Sequence, residues 1–574
     1  MRNSILDKIA AVPPRRLDSN TVPRFLVADT KRSPLQNSPS PLIAGNWRAA
    51  LANYSGLLPH QLYDILTFGA QIGYNGPERL YIADNLASAQ EAPTIITEQL
   101  HKDLECGRVS AYTAELPFFC SPLGLVPKHD GSWRRIHHLS HPEGHSVNDT
   151  IPGELATLKY TALAEILELV RHAGAGSYLI KKDLKDAFRM IPVAPHNRWL
   201  LGFQWQGCFY HENCLPFGLR TAPFIFNLFA EGFHWIWSAI QPWLSLAHYL
   251  DDFIAVLPAS LRTRAGEVHA IYTELTSFLG LLTNHLKDDE GTTVIILGVE
   301  VDTTQMVARL PDRKLRRAAE LVNAALSVRK LTLRRAQELA GFLNFCSAVV
   351  TLGRTFLTGL WSFIASFRTP AALRPLTDRA SADLSWWRDL LPQFNGVRLL
   401  VNDERPVYHI FTDASNAALG GFWYAGDQPS WRQALPIPQN QAFFATRADT
   451  SHINVAEVEA VATVLVQEAQ RWSHGHAVIH TDNTTAEHGF RSGTTANACA
   501  MDHIRTALLH AAAADLTISI ERITSHDNEL ADALSRANWP KVANLCPSWQ
   551  FPFPSSLPLS SSSGLPTTGG LPST

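Results

Sequence analysis

The amino-acid sequence predicts an α/β multidomain protein. Three observations carry this expectation. Short apolar runs rich in strand formers alternate with helical periodicity over most of the chain, two such alternating regions flank a helical, basic stretch, and aspartates recur where the apolar runs end. At 574 residues the chain has room for roughly four compact units. A hydrophobic content of 46% is ample for several cores, and 18% charged residues argue against wholesale disorder.

The elements follow in order. Residues 1–40 are rich in Pro, Arg and Ser without periodicity and read as a disordered leader. Residues 41–109 are helical, with Trp47, Leu51, Tyr54 and Leu58 spaced by three or four, and carry no recognisable chemistry. Strands and helices alternate over 110–305. Residues 306–404 are helical, basic at first and then Trp-rich at Trp386-Trp387. A second alternation of strands and helices fills 405–540, and 541–574 is a Pro/Ser-rich tail expected to be disordered. There are no internal repeats.

Charge and cysteine usage narrow the function. A net charge of −3 means that nucleic-acid binding would need clustered cations. Two clusters exist, Arg313-Lys314-Leu315-Arg316-Arg317 and Arg329-Lys330-Leu331-Thr332-Leu333-Arg334-Arg335. On a helix from Arg313, Leu315, Ala318, Val322 and Leu326 mark a buried face, leaving Arg313, Arg316, Arg317 and Arg329 for phosphates or simply for water. Seven scattered cysteines with no Cys-x-x-Cys pair favour reduced thiols, an intracellular setting and no zinc knuckle. The start of the chain lacks the apolar core of a signal peptide. The most apolar helix candidate, Phe233 to Ala247, is broken by Gln241-Pro242 and falls short of the roughly 20 residues a bilayer needs, so no membrane role is expected.

The most informative segment is His248-Tyr249-Leu250-Asp251-Asp252-Phe253-Ile254-Ala255-Val256, two adjacent aspartates within an apolar hairpin. Like charges this close raise each other's pKa unless a cation lies between them, and a divalent metal is the usual solution. The bland alternative is an Asp-rich turn. Upstream, Leu179-Ile180-Lys181-Lys182-Asp183 is an apolar strand ending in an acid, followed by the turn Asp186-Ala187-Phe188. Between them lies Cys214-Leu215-Pro216-Phe217-Gly218-Leu219-Arg220.

The order of strand Asp, then Leu-Pro-x-Gly-Leu, then Tyr-x-Asp-Asp resembles a reverse transcriptase. The resemblance implies a right-hand polymerase with fingers, palm and thumb, the fingers and palm over 110–305 and the thumb and connection over 306–404. It assigns Asp183 and Asp251 to two Mg²⁺ ions roughly 3.5–4 Å apart, Mn²⁺ being an alternative, with Asp252 secondary because it points off the opposite strand face. It also implies that Lys128 and Arg134, in Leu125-Val126-Pro127-Lys128-His129-Asp130-Gly131-Ser132-Trp133-Arg134, grip the incoming triphosphate, for which an ammonium and a guanidinium fork are suited. The rival is a surface hairpin with incidental charge. Phe188, with Phe217 and Gly218 nearby in the nucleotide site, would exclude a 2′-hydroxyl, against the rival of a plain core Phe. Lys287 resembles the lysine that protonates pyrophosphate, although a lone Lys is more often solvated. Leu297-Gly298-Val299 resembles the primer-grip hairpin, where Gly298 lets backbone approach the primer.

A second acidic set follows. Val407-Tyr408-His409-Ile410-Phe411-Thr412-Asp413 is a strand ending in an acid, His452-Ile453-Asn454-Val455-Ala456-Glu457 opens a helix, and Val478-Ile479-His480-Thr481-Asp482 and Asn528-Glu529-Leu530-Ala531-Asp532 complete the set. These segments resemble an RNase H-like α/β domain, implying that Asp413, Glu457, Asp482 and Asp532 hold two Mg²⁺ ions for attack of water on an RNA phosphodiester. Two rivals stand beside that reading: Asn454 and Glu457 have capping-box spacing, and Asp532 lies in a first helical turn where any acid suits the dipole. The loop Thr524-Ser525-His526-Asp527-Asn528 is short, so His526 is not equated with the loop histidine of that family.

The resemblance implies a retroelement enzyme acting on an RNA template, a DNA primer, dNTPs and an RNA–DNA hybrid. Ser121 to Lys128, Ile136 to Ser140 and Ser146-Val147-Asn148-Asp149 are similar to elements of the tyrosine-recombinase (DIRS-like) class, the recombinase being a separate polypeptide. A gypsy-like element is the alternative. Two rival functions stand: an idle, domesticated nucleic-acid-binding protein, and an RNA-dependent RNA polymerase, against which Phe188 and the second acidic set speak.

Overall fold

A computed structural model describes residues 33–112, 117–127, 131, 133–399, 405–428, 430–447 and 452–551. Most of the leader expected over 1–40, and the tail beyond residue 551, lie outside the described residues. Residues 33–40 are irregular but tied down, Leu35 N–H donating to Thr67 O at 2.8 Å and Ser40 Oγ to Met190 O at 2.6 Å. At the other end, the helix Trp539–Leu545 and the buried Trp549 carry ordered packing into the stretch read as tail. Trp549 Nε1 donates to Ile437 O at 2.7 Å, which satisfies the one polar atom of a buried indole.

The chain divides into two compact units after Met306, where length alone suggested roughly four. The first unit is built on the helix Ala222–Ile240, whose Pro223 occupies the first turn, where a missing N–H costs nothing. This helix is apolar nearly all round and is buried accordingly. The sequence placed an apolar helix over Phe233 to Ala247. It ends instead at Ile240, because Gln241 caps it and Pro242 cannot continue it, and Ser245–Tyr249 is a strand.

The helices Ala44–Ala50 and Leu58–Phe68 cover this element. Trp47 is wholly buried, meets Phe229 edge-on at 5.4 Å and donates Nε1–H to Leu279 O at 3.0 Å. The earlier part of the stretch without recognisable chemistry, from Leu42 to Ile72, is thus part of the first core. The rest is not all helical as expected: Leu80–Ile82 is a strand, and Ala89, Ile96, Leu100 and Val109 pack in a separate cluster.

A four-stranded antiparallel sheet packs against the same core in the order Asp289–Gly291, Tyr178–Asp183, Asp252–Leu257, Ser245–Tyr249. A separate five-stranded sheet runs Leu80–Ile82, Phe118–Cys120, Gly202–Trp205, Cys208–Glu212, Val109–Tyr112, beside the hairpin Leu123–Pro127 and Trp133–His137. The expected Gly298 turn joins Thr293–Ile296 to Val299–Asp302. Leu297 (φ +48°) and Gly298 (φ +79°) are both left-handed, as a two-residue hairpin of the primed kind requires.

The second unit contains the helices Asp312–Val328, Leu333–Cys346, Thr358–Ala365 and Asp378–Leu390 together with a five-stranded mixed sheet. The strand order is Ala442–Thr446, Ala418–Ala425, Val407–Ala414, His476–Thr481, Thr517–Arg522, antiparallel on one side of the central Val407–Ala414 and parallel on the other. Period-two alternation sends Ile410 to the core with the helices Ile453–Glu468 and Ala498–Ala513, and Phe411 to the core with Glu529–Ser535.

The helical and the sheet-bearing parts of this unit, separated on the sequence, meet at a buried ion pair. Asp383, fully buried on Asp378–Leu390, pairs with Arg505 of Ala498–Ala513 and accepts the N–H groups of Gly359 at 2.7 Å and Leu360 at 3.3 Å. Among the described residues no helix is long and apolar enough to cross a membrane.

Candidate active sites

In the first unit, pairing brings three aspartates to one end of the antiparallel sheet. Asp252 is the register partner of both Asp183 and Tyr249, which leaves Leu250 and Asp251 as a two-residue turn and, contrary to the expectation of an opposite face, puts Asp252 on the same sheet face as Asp183. Leu250 takes a left-handed φ of +53°, an unusual conformation for a branched residue, and Leu184 N–H holds Asp251 O at 3.0 Å. The turn therefore reaches over the end of the Asp183 strand.

Burial and mutual repulsion define the electrostatics here. Loss of water, with Asp252 and Asp183 adjacent, pushes the Asp251 carboxyl up to about 6, and burial also raises Asp252. Two lysines offset the charge. Lys287 Nζ lies 2.9 Å from Asp183 Oδ1, and Lys181 Nζ lies 3.6 Å from Asp252 Oδ1. Asn284 adds a backbone N–H to Asp183 O at 3.0 Å. Lys181 and Asn284 were not singled out on the sequence, although Lys181 lies two residues before Asp183 and so on the same strand face as it.

The nucleotide-site candidates converge on an aromatic cluster. Phe188 lies 5.2 Å from Phe217 and 5.8 Å from Phe226, ring centre to ring centre. The Arg134 guanidinium carbon sits 5.2 Å from the centre of the Phe217 ring. Phe188 is half-buried on a 3₁₀ turn, Ala187–Met190, launched by Asp186 at φ +62°. Gly218 has φ +110°, and a Cβ there would lie 2.0 Å from His137 O, so no other residue fits without moving that strand. Asn148, quoted on the sequence only for its subgroup likeness, holds the same loop by donating to Gly218 O at 2.8 Å and accepting Arg220 N–H at 2.8 Å. Lys128 lies outside the described residues.

In the second unit, Asp413, Glu457 and Asp482 each place a carboxylate oxygen within 4.8 Å of the others, the one such trio among the described residues. Asp413 is the last residue but one of the central strand, Asp482 follows its parallel neighbour, and Glu457 comes from the first turns of Ile453–Glu468. The capping-box rival does not form. His452 is the N-cap, accepting from Asn454 N–H at 3.2 Å, and Asn454 instead accepts from Asn483 Nδ2 at 3.1 Å. Burial, with Asp413 nearby, pushes Glu457 up to about 8, while burial opposed by the Ser535 hydroxyl leaves Asp413 at about 6. Glu457 Oε2 is buried without a hydrogen-bond partner. Three converging carboxylates and an unsatisfied buried oxygen fit a divalent cation with oxygen ligands.

Asp532 stands apart from the trio. Its carboxylate is taken by Arg536 one helical turn on, while Ser535 of the same helix donates to Asp413. Ser525 Oγ donates to Asp482 Oδ2 at 2.7 Å, and Asn528 Nδ2 donates to Thr412 O at 2.9 Å, fixing the loop beside Asp413. His526 is exposed and lies 3.8 Å from Asp527. The serines carried no sequence signal of their own, because a single hydroxyl becomes meaningful only once the fold places it.

The basic stretch forms the expected helix, Asp312–Val328, burying Ala318, Val322 and Ala325, with Leu315 and Leu326 half-buried at the margin. Arg313, Arg316, Arg317 and Arg329 are exposed. Arg317 rests on Phe342 at 5.1 Å, and Arg329 closes the helix at φ +54°.

Residues 126–301 match the family described as reverse transcriptase (RNA-dependent DNA polymerase). The chain is 36% identical over 107 residues to the Pro-Pol polyprotein of Simian foamy virus type 1, covering 19% of this chain and 8% of that one. It is 25% identical over 202 residues to the Gag-Pro-Pol polyprotein of Sheep pulmonary adenomatosis virus, covering 33% of this chain and 10% of that one. It thus spans a small part of the relatives it matches. Among solved structures it is similar to a foamy viral protease-reverse transcriptase in complex with dsDNA, at 16% identity and TM-score 0.46, covering 86% of this chain and 99% of that one. For the same kind of protein in complex with an RNA/DNA hybrid the values are 14% and 0.43, covering 86% of each chain. The first unit therefore contains a reverse-transcriptase-like segment, and the chain shares sequence with retroviral Pol polyproteins.

Proposed function

We propose that this chain is an RNA-directed DNA polymerase of a retroelement with a ribonuclease H activity in its second unit. The observation that carries the reading is the placement of Asp183, Asp251 and Asp252 at one end of the antiparallel sheet, within the segment 126–301 that matches the reverse-transcriptase family. The carboxylate trio of the second unit supports the ribonuclease activity. In this reading residues 110–305 are fingers and palm and 306–404 are thumb and connection. The partners are an RNA template, a DNA primer, the RNA–DNA hybrid and dNTPs. The parent element belongs to the class that integrates through a separately encoded tyrosine recombinase.

Asp183 and Asp251 would hold Mg²⁺, or Mn²⁺ in its place, with Asp252 steadied by Lys181. In the second unit Asp413, Glu457 and Asp482 would do so, with Asp532 joining on release from Arg536. The bound ions supply charge neutralisation and polarise an attacking oxygen. The remaining work falls to the chain. Lys128 and Arg134 bind the triphosphate, Phe188 excludes a 2′-hydroxyl while Phe217 and Gly218 shape the floor, and Lys287 offers a proton toward the leaving pyrophosphate. Gly298 approaches the primer, and Arg313, Arg316, Arg317 and Arg329 follow the duplex backbone.

The test is extension of a labelled DNA primer on an RNA template with dNTPs and Mg²⁺, beside Asp251→Ala and Asp482→Ala. Extension lost only in Asp251→Ala and template cleavage lost only in Asp482→Ala are expected. A wild-type chain that binds primer-template but neither extends nor cleaves under varied salt and metal would replace this reading with that of an idle binding protein.

A further inference from the structure

Two of the proposed nucleotide-contacting residues have an arginine as their next neighbour in the chain, and both arginines turn inward to the same pair of acids. Arg135 follows Arg134 on the strand Trp133–His137, and Arg189 follows Phe188 on the turn Ala187–Met190. Asp103 Oδ2 accepts from Arg135 at 2.7 Å and from Arg189 at 3.0 Å. Glu212 accepts from Arg189 at 2.7 Å and from Arg135 at 3.4 Å. The four side chains are 2–14% exposed, their formal charges cancel, and the acids come from two other elements, the helix Pro93–Glu105 and the strand Cys208–Glu212.

A buried ion network of this kind is a poor source of net stability, since desolvating four charges offsets most of their attraction. What it does supply is a fixed geometry, because guanidinium forks tolerate little displacement from their carboxylates. Here the geometry is shared. Beyond the network, Phe188 and Arg134 both approach the Phe217 ring, each 5.2 Å from its centre. A second ion pair, Arg108 to Asp186 at 3.0 Å, holds the start of the Phe188 turn.

We infer that Asp103, Arg135, Arg189 and Glu212 are positioning residues that fix the spacing between Arg134 and Phe188, and so couple triphosphate binding to discrimination of the sugar. The inference rests on the roles proposed above for Arg134 and Phe188. A nucleotide whose phosphates engage Arg134 has its ribose set against Phe188 only if this spacing is kept. The network therefore acts on nucleotide affinity and sugar choice together while touching no substrate.

The full-length chain tests this with Arg135→Lys, which keeps the charge but loses the fork, and Asp103→Asn at the most exposed corner of the network. Both are compared with Phe188→Ala. Melting temperature and primer-template affinity identify the folded variants. KM for a dNTP and the preference for dNTP over rNTP in kcat/KM are then read on one primer-template. The expected result is a kcat/KM for the dNTP lowered by up to about a hundredfold, the scale of an ångström-sized misplacement, carried mainly by a raised KM, with a reduced dNTP preference and a smaller change in kcat. A purely structural role would lower the active fraction, and hence kcat, leaving KM and preference unmoved in folded protein. That result would overturn the inference while Phe188→Ala still relaxes sugar choice. If Phe188→Ala leaves sugar choice unchanged, the reading of Phe188 fails, and the inference with it.

Discussion

Lys287 places its ammonium 2.9 Å from Asp183 Oδ1, so the most buried of the three clustered aspartates is paired with a cation delivered by an exposed turn. The contact raises the Lys287 pKa, while burial and the neighbouring aspartates still hold Asp251 above its ordinary value, the ammonium offsetting only a small part of that rise. A divalent ion must share or displace this contact. Lys287→Ala should therefore lower the Mg²⁺ concentration for half-maximal primer extension, by up to about fivefold for a pair with one exposed member. It should also lower kcat, because the proton offered to the leaving pyrophosphate is lost. Mg²⁺ titrations at saturating and at limiting dNTP check both effects.

The second acidic site predicts a pH dependence of stability that metal should cancel. Glu457 is held at about 8 against an ordinary 4.5, so the folded, metal-free chain binds a proton that the unfolded chain has released. Stability from this group is present below pH 4.5 and falls as pH rises toward 8, the opposite of a salt-bridged acid. Asp413, raised to about 6, adds a loss in the same direction. Thermal melts from pH 5 to 8.5 should show a fall in Tm in EDTA that Mg²⁺ reverses, and Glu457→Gln should flatten the EDTA profile.

At Gly218 the backbone leaves no space for a side chain. With φ +110° and His137 O 2.0 Å from the site of a Cβ, Gly218→Ala must displace either the loop or the strand. Destabilisation of about 1–3 kcal/mol is expected from the conformational strain alone. Urea unfolding measures it, and KM for dNTPs should rise because Phe217 moves with the loop.

Asp383 and Arg505 form the buried pair that joins the helical and sheet-bearing parts of the second unit. Removing one partner strands the other charge, so Arg505→Met should cost about 3–5 kcal/mol in denaturant unfolding. A double variant replacing both with apolar residues of similar volume should recover much of that loss. Recovery below the single variant would show that the backbone N–H groups of Gly359 and Leu360, left without Asp383, dominate the cost.

The aspartate hairpin was legible from its residues because strand alternation and turn chemistry are local. Asp251 falls in a two-residue turn, and Asp252 opens the following strand. The Gly298 turn and the basic helix were legible for the same reason. What the sequence could not supply is set by long-range pairing. The contacts of Lys181 with Asp252 and of Ser535 with Asp413 depend on register and on a helix 120 residues away in the chain. The Glu457 spacing suggested a cap, but His452 took that place, one residue before the helix and next to the first free N–H groups. Asp532 matched its motif, yet Arg536 at helical spacing claims its carboxylate.

The burial of Trp47 has a practical consequence for anyone dividing this chain. The family match begins at Val126, but the aromatic surface of Ala222–Ile240 is roofed by residues some 60 to 80 positions earlier, and Trp47 is bonded to the end of the helix Ala265–Leu279. A fragment trimmed to the recognisable motifs would bare Phe229 and Trp235 to water and should aggregate. The buried core of the first unit already begins at Leu42, so its sequence signature and its core have different boundaries.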